Sequence, residues 1–306
     1  MNRNKLKAVL LLLFLSIVWG SSFILIKKGL IGYSAGQVGA LRIVFSGLIF
    51  LPILLNKLRK EKIKKPGYSL LFGLLEIGIP PFLFATAETV VSSSTTGILN
   101  SLVPLFTLVS GALLFKVKTG LAKVAGVIVG LIGALMLVLF HRGINFEPGN
   151  FADAASFYGL LVLIAGIMYG TAGNILKEKL HDIDDIMIVA VAFTSMALPA
   201  GIYLLTTDFF SIPLSNPVNL QSFISIFILS SVNSALAMYL FSILTKLSSA
   251  LFASFCTYLM PFVAIFWGVL DGEEFYAVHF IGMAVIFIGI YIANKDSFKA
   301  LKKTGN

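Results

Sequence analysis

The sequence predicts an all-α, polytopic membrane protein with ten transmembrane helices arranged as two inverted five-helix repeats. Three observations lead there. The 306-residue chain is 58% hydrophobic and only 12% charged, with a mean hydropathy of +0.97, whereas soluble domains carry roughly 25% charged residues. Its apolar stretches divide into ten runs of spanning length. The two halves of the chain also align with each other. At ~20 residues per span, ten helices leave connections too short for a folded soluble domain. An ATP-binding domain in this chain, a large external receptor domain and a disulfide scaffold are thereby excluded. Cys256 is the only cysteine and lies inside an apolar run.

Apolar runs bounded by charges or turn residues place spans near 8–26, 36–55, 68–89, 94–115 and 121–140, then 156–176, 185–205, 221–243, 248–270 and 276–294. The first follows Arg3, Lys5 and Lys7 in the manner of a signal peptide. Its apolar run is too long for one, and it ends in Trp19-Gly20-Ser21-Ser22-Phe23-Ile24 with no small-x-small cleavage pattern, so a retained helix is expected. Domain organisation follows: a first repeat at 1–140, an external connection at 141–155, a second repeat at 156–294 and a basic tail at 295–306.

Orientation is read from the basic residues. With both termini in the cytoplasm, 19 of the 23 Lys and Arg fall inside. Only Lys27, Lys28 and Arg142 fall outside, and Arg42 lies within a helix. The +9 net charge then faces the anionic inner leaflet of the cell membrane. A nucleic-acid partner is not expected, because the cations are split among short loops between apolar spans.

The repeat is visible in matched residues. Pro104 and Gly111 correspond to Pro261 and Gly268 at a shift of 157, and Gly126 and Gly133 to Gly282 and Gly289 at 156. Trp19-Gly20 and Lys27 correspond to Tyr169-Gly170 and Lys177 at 150. Five is an odd number of crossings, so the second copy must be inverted. The loop charges agree: Lys116, Lys118 and Lys123 join spans 4 and 5, while Asp271, Glu273 and Glu274 join spans 9 and 10. Inverted repeats give many secondary transporters two related conformations with a substrate site near the midplane.

The Trp-Gly-Ser-Ser-Phe run in span 1, Arg42 in span 2, the Pro104 and Pro261 helices with Gly seven residues on, and the paired Gly-x6-Gly segments resemble the EamA-type branch of the drug/metabolite transporter superfamily. The likeness runs from about residue 10 to 294. It implies export or exchange of amino acids, related metabolites or lipophilic compounds without ATP, and a central cavity lined mainly by helices 1, 3, 4, 6, 8 and 9. The family commonly carries Glu after helix 4 and after helix 9. Glu273 or Glu274 meets the second, but Val117 stands at the first, so that role cannot be carried over.

Ionisable groups within spans point to function because each costs about 2.5–3.5 kcal/mol at a helix centre. Arg42, Glu76 and Glu88 qualify. Rise per residue puts Arg42 roughly 9 Å below the outer end of its helix and roughly 9–12 Å axially from either Glu. Glu76 is read as a proton-coupling carboxylate or a counter-charge for a substrate amine, or else as a neutralising partner of Arg42 that fixes packing. Glu88, near the interface, is expected to be solvated. Arg42 suits capture of a carboxylate through its planar fork, with an ion pair or backbone bonding as the alternative.

Glu76 aligns with Asn233, which favours a cavity-facing position in both repeats. Trp19, Ser22, Asn100, Tyr169, Tyr239 and Tyr258 complete the candidate cavity lining. Trp267 lies on a lining helix as well, and the aromatic rings suit an apolar or aromatic substrate. Pro80, Pro81, Pro104 and Pro261 are candidate hinge or gate points, since a proline frees a backbone carbonyl and kinks its helix; Pro199 also lies within a span. Gly126-x3-Gly130 fits the close-packing motif and serves either the scaffold or a homodimer.

His141, His181 and His279 lack metal-ligand spacing, Asp182, Asp184 and Asp185 read as a solvated loop, and no nucleophile motif appears. No metal, cofactor or enzymatic activity is expected. The partners are a small-molecule substrate and the lipid bilayer. Multidrug efflux, lipid translocation and a non-transporting receptor or scaffold stand as alternatives to metabolite export.

Overall fold

The structure, a computed structural model, describes residues 3–117, 120–139, 154–247, 253 and 255–304. Lys118, His141, Arg142 and nearly all of the expected 141–155 connection lie outside the described residues. Ten spans follow the predicted order. They are α1 (Arg3–Gly20 and Ser22–Gly29), α2 (Ala35–Leu58), α3 (Pro66–Gly73, π-helical Leu74–Gly78 and Pro80–Ala87), α4 (Ser93–Asn100 and Val103–Phe115) and α5 (Leu121–Leu139). The second set is α6 (Ala154–Lys179), α7 (Asp185–Leu205), α8 (Pro217–Ile228, π-helical Leu229–Leu236 and Ala237–Leu247), α9 (Cys256–Leu270) and α10 (Ala277–Thr304).

Among the described residues, eight spans are long and apolar enough to cross a bilayer, and Cys256–Leu270 and Ala277–Ala293 are shorter apolar helices. Burial inverts the pattern of a soluble protein. Leu113, Leu121 and Leu198 point outward at 76%, 90% and 70% exposure, as a surface solvated by lipid requires. α1 starts earlier and ends later than its hydropathy window because hydrogen bonding continues past the apolar stretch at both ends.

Packing carries the two-fold pseudosymmetry of the repeats. α2 packs on α7 and α5 on α10, each on its own counterpart; α1 packs on α9 as α6 packs on α4, and α1 on α8 as α6 on α3. The matched glycines explain why. A Cβ on Gly20 would lie 2.5 Å from Val263 Cβ and 2.9 Å from the Met260 carbonyl, and one on Gly170 would lie 2.6 Å from Thr107 N and 2.7 Å from Phe106 C. Phe106 and Val263 are themselves repeat equivalents. Each glycine lets the neighbouring repeat's proline-bearing helix come into backbone contact.

The glycines of α5 and α10 meet within the chain. A Cβ on Gly126 would lie 2.5 Å from Ala293 N, and one on Gly289 would lie 2.4 Å from Gly130 N. The Gly126-x3-Gly130 face is therefore occupied by α10 and serves the scaffold. At the end of the bundle holding the 2–3 and 6–7 connections, Lys57 pairs with Asp184 at 2.8 Å and Lys65 with Asp182 at 2.7 Å. Asp184 also caps α7 through Met187 N at 3.0 Å. The acidic loop expected to be merely solvated is thus tied to the basic one, because both lie at the same end.

The α5–α10 contact is testable. Gly289→Ala forces a methyl against a helix backbone that cannot rotate away, at a cost of about 1–3 kcal/mol. Gly67→Ala meets nothing within 4 Å. A thiol-reactive dye reporting exposure of the buried Cys256 on heating should show a Tm lowered by several degrees for the first variant and unchanged for the second.

Candidate substrate site and the Lys27 end

Both repeats break the same helix in the same place. The π-helical segments Leu74–Gly78 in α3 and Leu229–Leu236 in α8 overlap when shifted by the repeat, with Glu76 falling on Asn233. In α3 the cause is Pro80-Pro81, which supply no N–H to the preceding turn; Ile79 N bonds back to Leu74 O at 3.1 Å instead. In α8 hydroxyls do the work. Ser234 Oγ donates to Leu229 O at 3.1 Å, and Ser230 Oγ donates to Ile226 O at 2.6 Å. Ser46 Oγ of α2 lies 2.8 Å from Arg42 O and 2.9 Å from Ser230 O. Such insertions recur at functional sites.

Arg42 Nε donates to Ser234 Oγ at 3.0 Å. The guanidinium is half-buried, and among the described residues neither its Nη atoms nor the half-buried Glu76 carboxylate has a hydrogen-bond or ion-pair partner. Arg42 lies within Coulombic reach of Glu76, Glu88 and Tyr169, yet the neutralising pair entertained from the sequence does not form. The Ser234 bond ties Arg42 to α8 and leaves its Nη atoms and the Glu76 carboxylate unjoined. Tyr169 is half-buried beside them, its ring stacked on Phe84 with centroids 5.8 Å apart at 22°.

Other predicted residues fall into place differently. Trp19 Nε1 donates to Asn233 O at 3.0 Å, and Asn233 Nδ2 donates to Ser22 Oγ at 3.1 Å and to the Val18 carbonyl. These polar atoms are spent on tying α1 to the opened turn of α8. Asn100 is buried, its Oδ1 without a partner, at the end of the first half of α4. Tyr258 is half-buried against Phe255 with ring centroids 5.7 Å apart. Tyr239 is 45% exposed beside exposed Leu236, outside these groups. An outward-facing tyrosine looks identical to a lining one in sequence.

The prolines are not alike. Pro104 sits in the first turn of the second half of α4, where Ser101 N and Leu102 N bond back three residues to Ile98 O and Leu99 O at 3.0 and 3.1 Å. The break falls before the proline. Pro261 lies inside the unbroken Cys256–Leu270 helix, so the two repeats do not break at equivalent positions here.

A polar latch that the sequence did not single out closes one end of the bundle. Lys27 Nζ reaches Asp271 Oδ2 and Glu273 Oε1, each at 2.8 Å, and Lys28 pairs with Asp271. The Glu273 side chain is only 4% exposed and caps the start of α4. Its Oε1 accepts from Ser93 N and Oγ at 3.0 and 2.7 Å, and Oε2 from Ser94 N and Oγ at 3.2 and 2.5 Å. An anion at a helix N-terminus is favoured by the unpaired N–H groups and the dipole. Burial pushes the Glu273 carboxyl up, but the Lys27 and serine hydrogen bonds outweigh it and hold the group below its ordinary value.

One clue was available beforehand: Lys27 and Lys28 share a face with an acidic, lysine-free 9–10 loop. At the other end the repeat-equivalent Lys177 lies 3.9 Å from exposed Glu178, and Val117 stands where the second carboxylate would be. Glu88, expected to be solvated, is 7% exposed with both carboxylate oxygens unpartnered. That burial is a tertiary fact that hydropathy alone could not show.

Comparison with known proteins accords with this architecture. A sequence model of the EamA-like transporter family matches residues 6–139 and again 156–295. The uncharacterized inner membrane transporter YedA of Escherichia coli strain K12 is 24% identical over 93% of this chain and 89% of its own. An S-adenosylmethionine/S-adenosylhomocysteine transporter of Chlamydia muridarum is 24% identical over 95% and 93%. One solved crystal structure shares the fold with a TM-score of 0.61 at 17% identity, covering 94% of this chain and 96% of that one.

The latch predicts a pH-dependent stability. A carboxyl whose folded-state pKa is depressed contributes stability above its unfolded pKa and loses it as pH falls through the folded value. Glu273→Gln should therefore lower the Tm near neutral pH. Because Lys27 is one-third exposed, the loss should be roughly 2 kcal/mol, less than the cost of breaking a fully buried pair. The gap between variant and parent should close as the pH is taken below the ordinary carboxylate range, measured by thermal unfolding across a pH series.

Proposed function

The chain belongs to the EamA-like transporter family and is a membrane transporter; from that premise we propose that it exports amino acids or closely related zwitterionic metabolites by alternating access. One observation carries the substrate class. The Arg42 Nη atoms and the Glu76 carboxylate are within Coulombic reach of each other and are not joined, the guanidinium being held on Ser234 through Nε alone. A substrate carrying both charges fits between them, its carboxylate on the planar Arg42 fork and its amine on Glu76. Tyr169, stacked on Phe84, supplies an aromatic wall for the substrate's side chain. The Chlamydia relative's named substrates share this chemistry, since S-adenosylmethionine is an α-amino acid with an aromatic base.

Alternating access is supported by the repeat, whose inverted halves pack on each other through matched contacts, and by separate ion-pair sets at the two ends, Lys27 with Asp271 and Glu273 at one and Lys57 with Asp184 and Lys65 with Asp182 at the other. Both termini lie in the cytoplasm on the distribution of Lys and Arg, which puts the latched Lys27 end outside. The opened turns of α3 and α8 are the flexible points between the two states, with Pro80-Pro81 setting the first. Emptied of substrate, Glu76 takes a proton, which couples export to proton entry.

Counterflow from proteoliposomes tests this, with amino acids, S-adenosylmethionine, polyamines and lipophilic cations as substrates, with and without a pH gradient. Carboxylate-bearing amines should exchange. Arg42→Lys should weaken their apparent affinity about tenfold or more, ~1.4 kcal/mol, because a point charge cannot make the bidentate contact. Glu76→Gln should lose the amine preference and flatten the pH dependence. Exchange confined to lipophilic cations, or equal rates in both variants at every pH, would sink the assignment.

A further inference from the structure

Among the described residues, Glu88 is the carboxylate that is both buried and without a hydrogen-bond partner at either oxygen. It lies at the end of α3, its N–H bonded to Phe84 O at 3.0 Å. The geometry beneath it fixes what it faces. Phe84, one turn below Glu88, packs on Phe23 with ring centroids 6.1 Å apart, and Phe23 is one turn below Lys27. Residues four apart on a helix stack above one another, so Glu88 and Lys27 stand on adjacent helices at one level. The charged groups acting on Glu88 are Lys27 from α1, Glu273 from the 9–10 loop and Arg42 from α2. From α6, Tyr169 sits lower, against Phe84.

Lys27 is committed elsewhere, to Glu273 and Asp271. An ionised carboxylate cannot be held in such a place without a cation or donors. In this conformation Glu88 is therefore the neutral acid. Lys27 fastens α1 to the 9–10 loop through Asp271 and Glu273, and Glu273 in turn holds α4; Glu88 at the same level is the other carboxylate within its Coulombic reach.

Building on the alternating-access reading above, we propose that Glu88 is a proton-binding switch for the Lys27 end: protonated while Lys27 is latched to Glu273 and Asp271, and ionised, with Lys27 as its partner, when that end opens. The step is a simple ionisation. The Glu88 O–H breaks, its proton passes to external water, and the electron pair left on the carboxylate draws the Lys27 ammonium from Glu273. Ser93 and Ser94 continue to solvate the Glu273 carboxylate left behind. The closed state binds one proton more than the open state, so raising pH favours opening. This proton is distinct from the one assigned to Glu76, which answers to substrate.

The test needs no substrate. In a Cys256→Ala background, Phe23→Cys places a thiol one turn beneath Lys27, where Phe23 is 4% exposed and packed on Phe84. Its labelling by a membrane-impermeant maleimide in intact cells is compared with that of exposed Ser215→Cys, which cancels the reagent's own pH dependence. Relative labelling should rise at least about fivefold as external pH is raised from about 5.5 to 8.5, the lower end of a typical coupling between sites. Glu88→Gln should stay low at every pH, Glu88→Asp should keep the rise, and Glu273→Gln should label strongly even at low pH. Glu76→Gln should respond as the parent does.

A rise in Glu88→Gln equal to the parent's, or flat labelling in the parent, overturns the switch. Failed counterflow beside an intact labelling response would overturn the substrate assignment and leave the switch standing. Successful counterflow beside a response that ignores Glu88 would do the reverse. Size-exclusion profiles of the Gln and Asp variants are the control that each is folded.

Discussion

In a bilayer core no water is present to satisfy a backbone N–H or C=O, so every break in a spanning helix must find its hydrogen bonds inside the protein. This constraint organises the molecule. α1 is interrupted at Ser21, α3 at Leu74–Gly78, α4 at Ser101 and Leu102, and α8 at Leu229–Leu236. The polar side chains of the interior gather at the same places. Ser46, Ser230 and Ser234 serve the opened turn of α8, Asn233 and Trp19 bind it to α1, and Arg42 is anchored on Ser234. Polarity this deep in an apolar chain is explained first by the broken backbone. What remains uncommitted afterwards includes the Arg42 Nη atoms, the Glu76 and Glu88 carboxylates and Asn100 Oδ1, and the proposed substrate contacts are drawn from these.

The two ends of the bundle differ in the same currency. At one end Glu273 answers three demands together, capping α4, pairing with Lys27 and filling the gap over Gly268, where a Cβ would lie 1.9 Å from Ser94 Oγ. At the other, the equivalent lysine meets only an exposed neighbour. That end is held instead by Lys57 with Asp184 and Lys65 with Asp182 across its loops, so charge ties both ends but through non-equivalent residues.

Much of the fold was legible because it rests on one-dimensional signals. Ten apolar runs, the odd number of crossings per repeat and the alternating loop charges each follow from composition along the chain, and the glycine and proline matches announced the packing that Gly20 and Gly170 make. The site was legible in part. Arg42 and Glu76 stood out because charge is scarce in lipid. Glu88 stood out equally and was misjudged, since its distance from the helix end says nothing about what covers it. Asn233 was correctly associated with Glu76 by the repeat, but its amide is spent on Val18 and Ser22, a contact over two hundred residues away in sequence.

The sequence by itself determined the number of spans, their pairing into repeats and the few residues able to carry charge into the membrane, because hydrophobicity and chain symmetry are written locally. Only the tertiary structure decided which of those charges are satisfied. Whether Arg42 meets Glu76, whether Lys27 meets Glu273, and whether Glu88 is buried depend on distances of a few ångströms between helices that no periodicity records. Coulomb energy in a low-dielectric interior changes steeply over such distances.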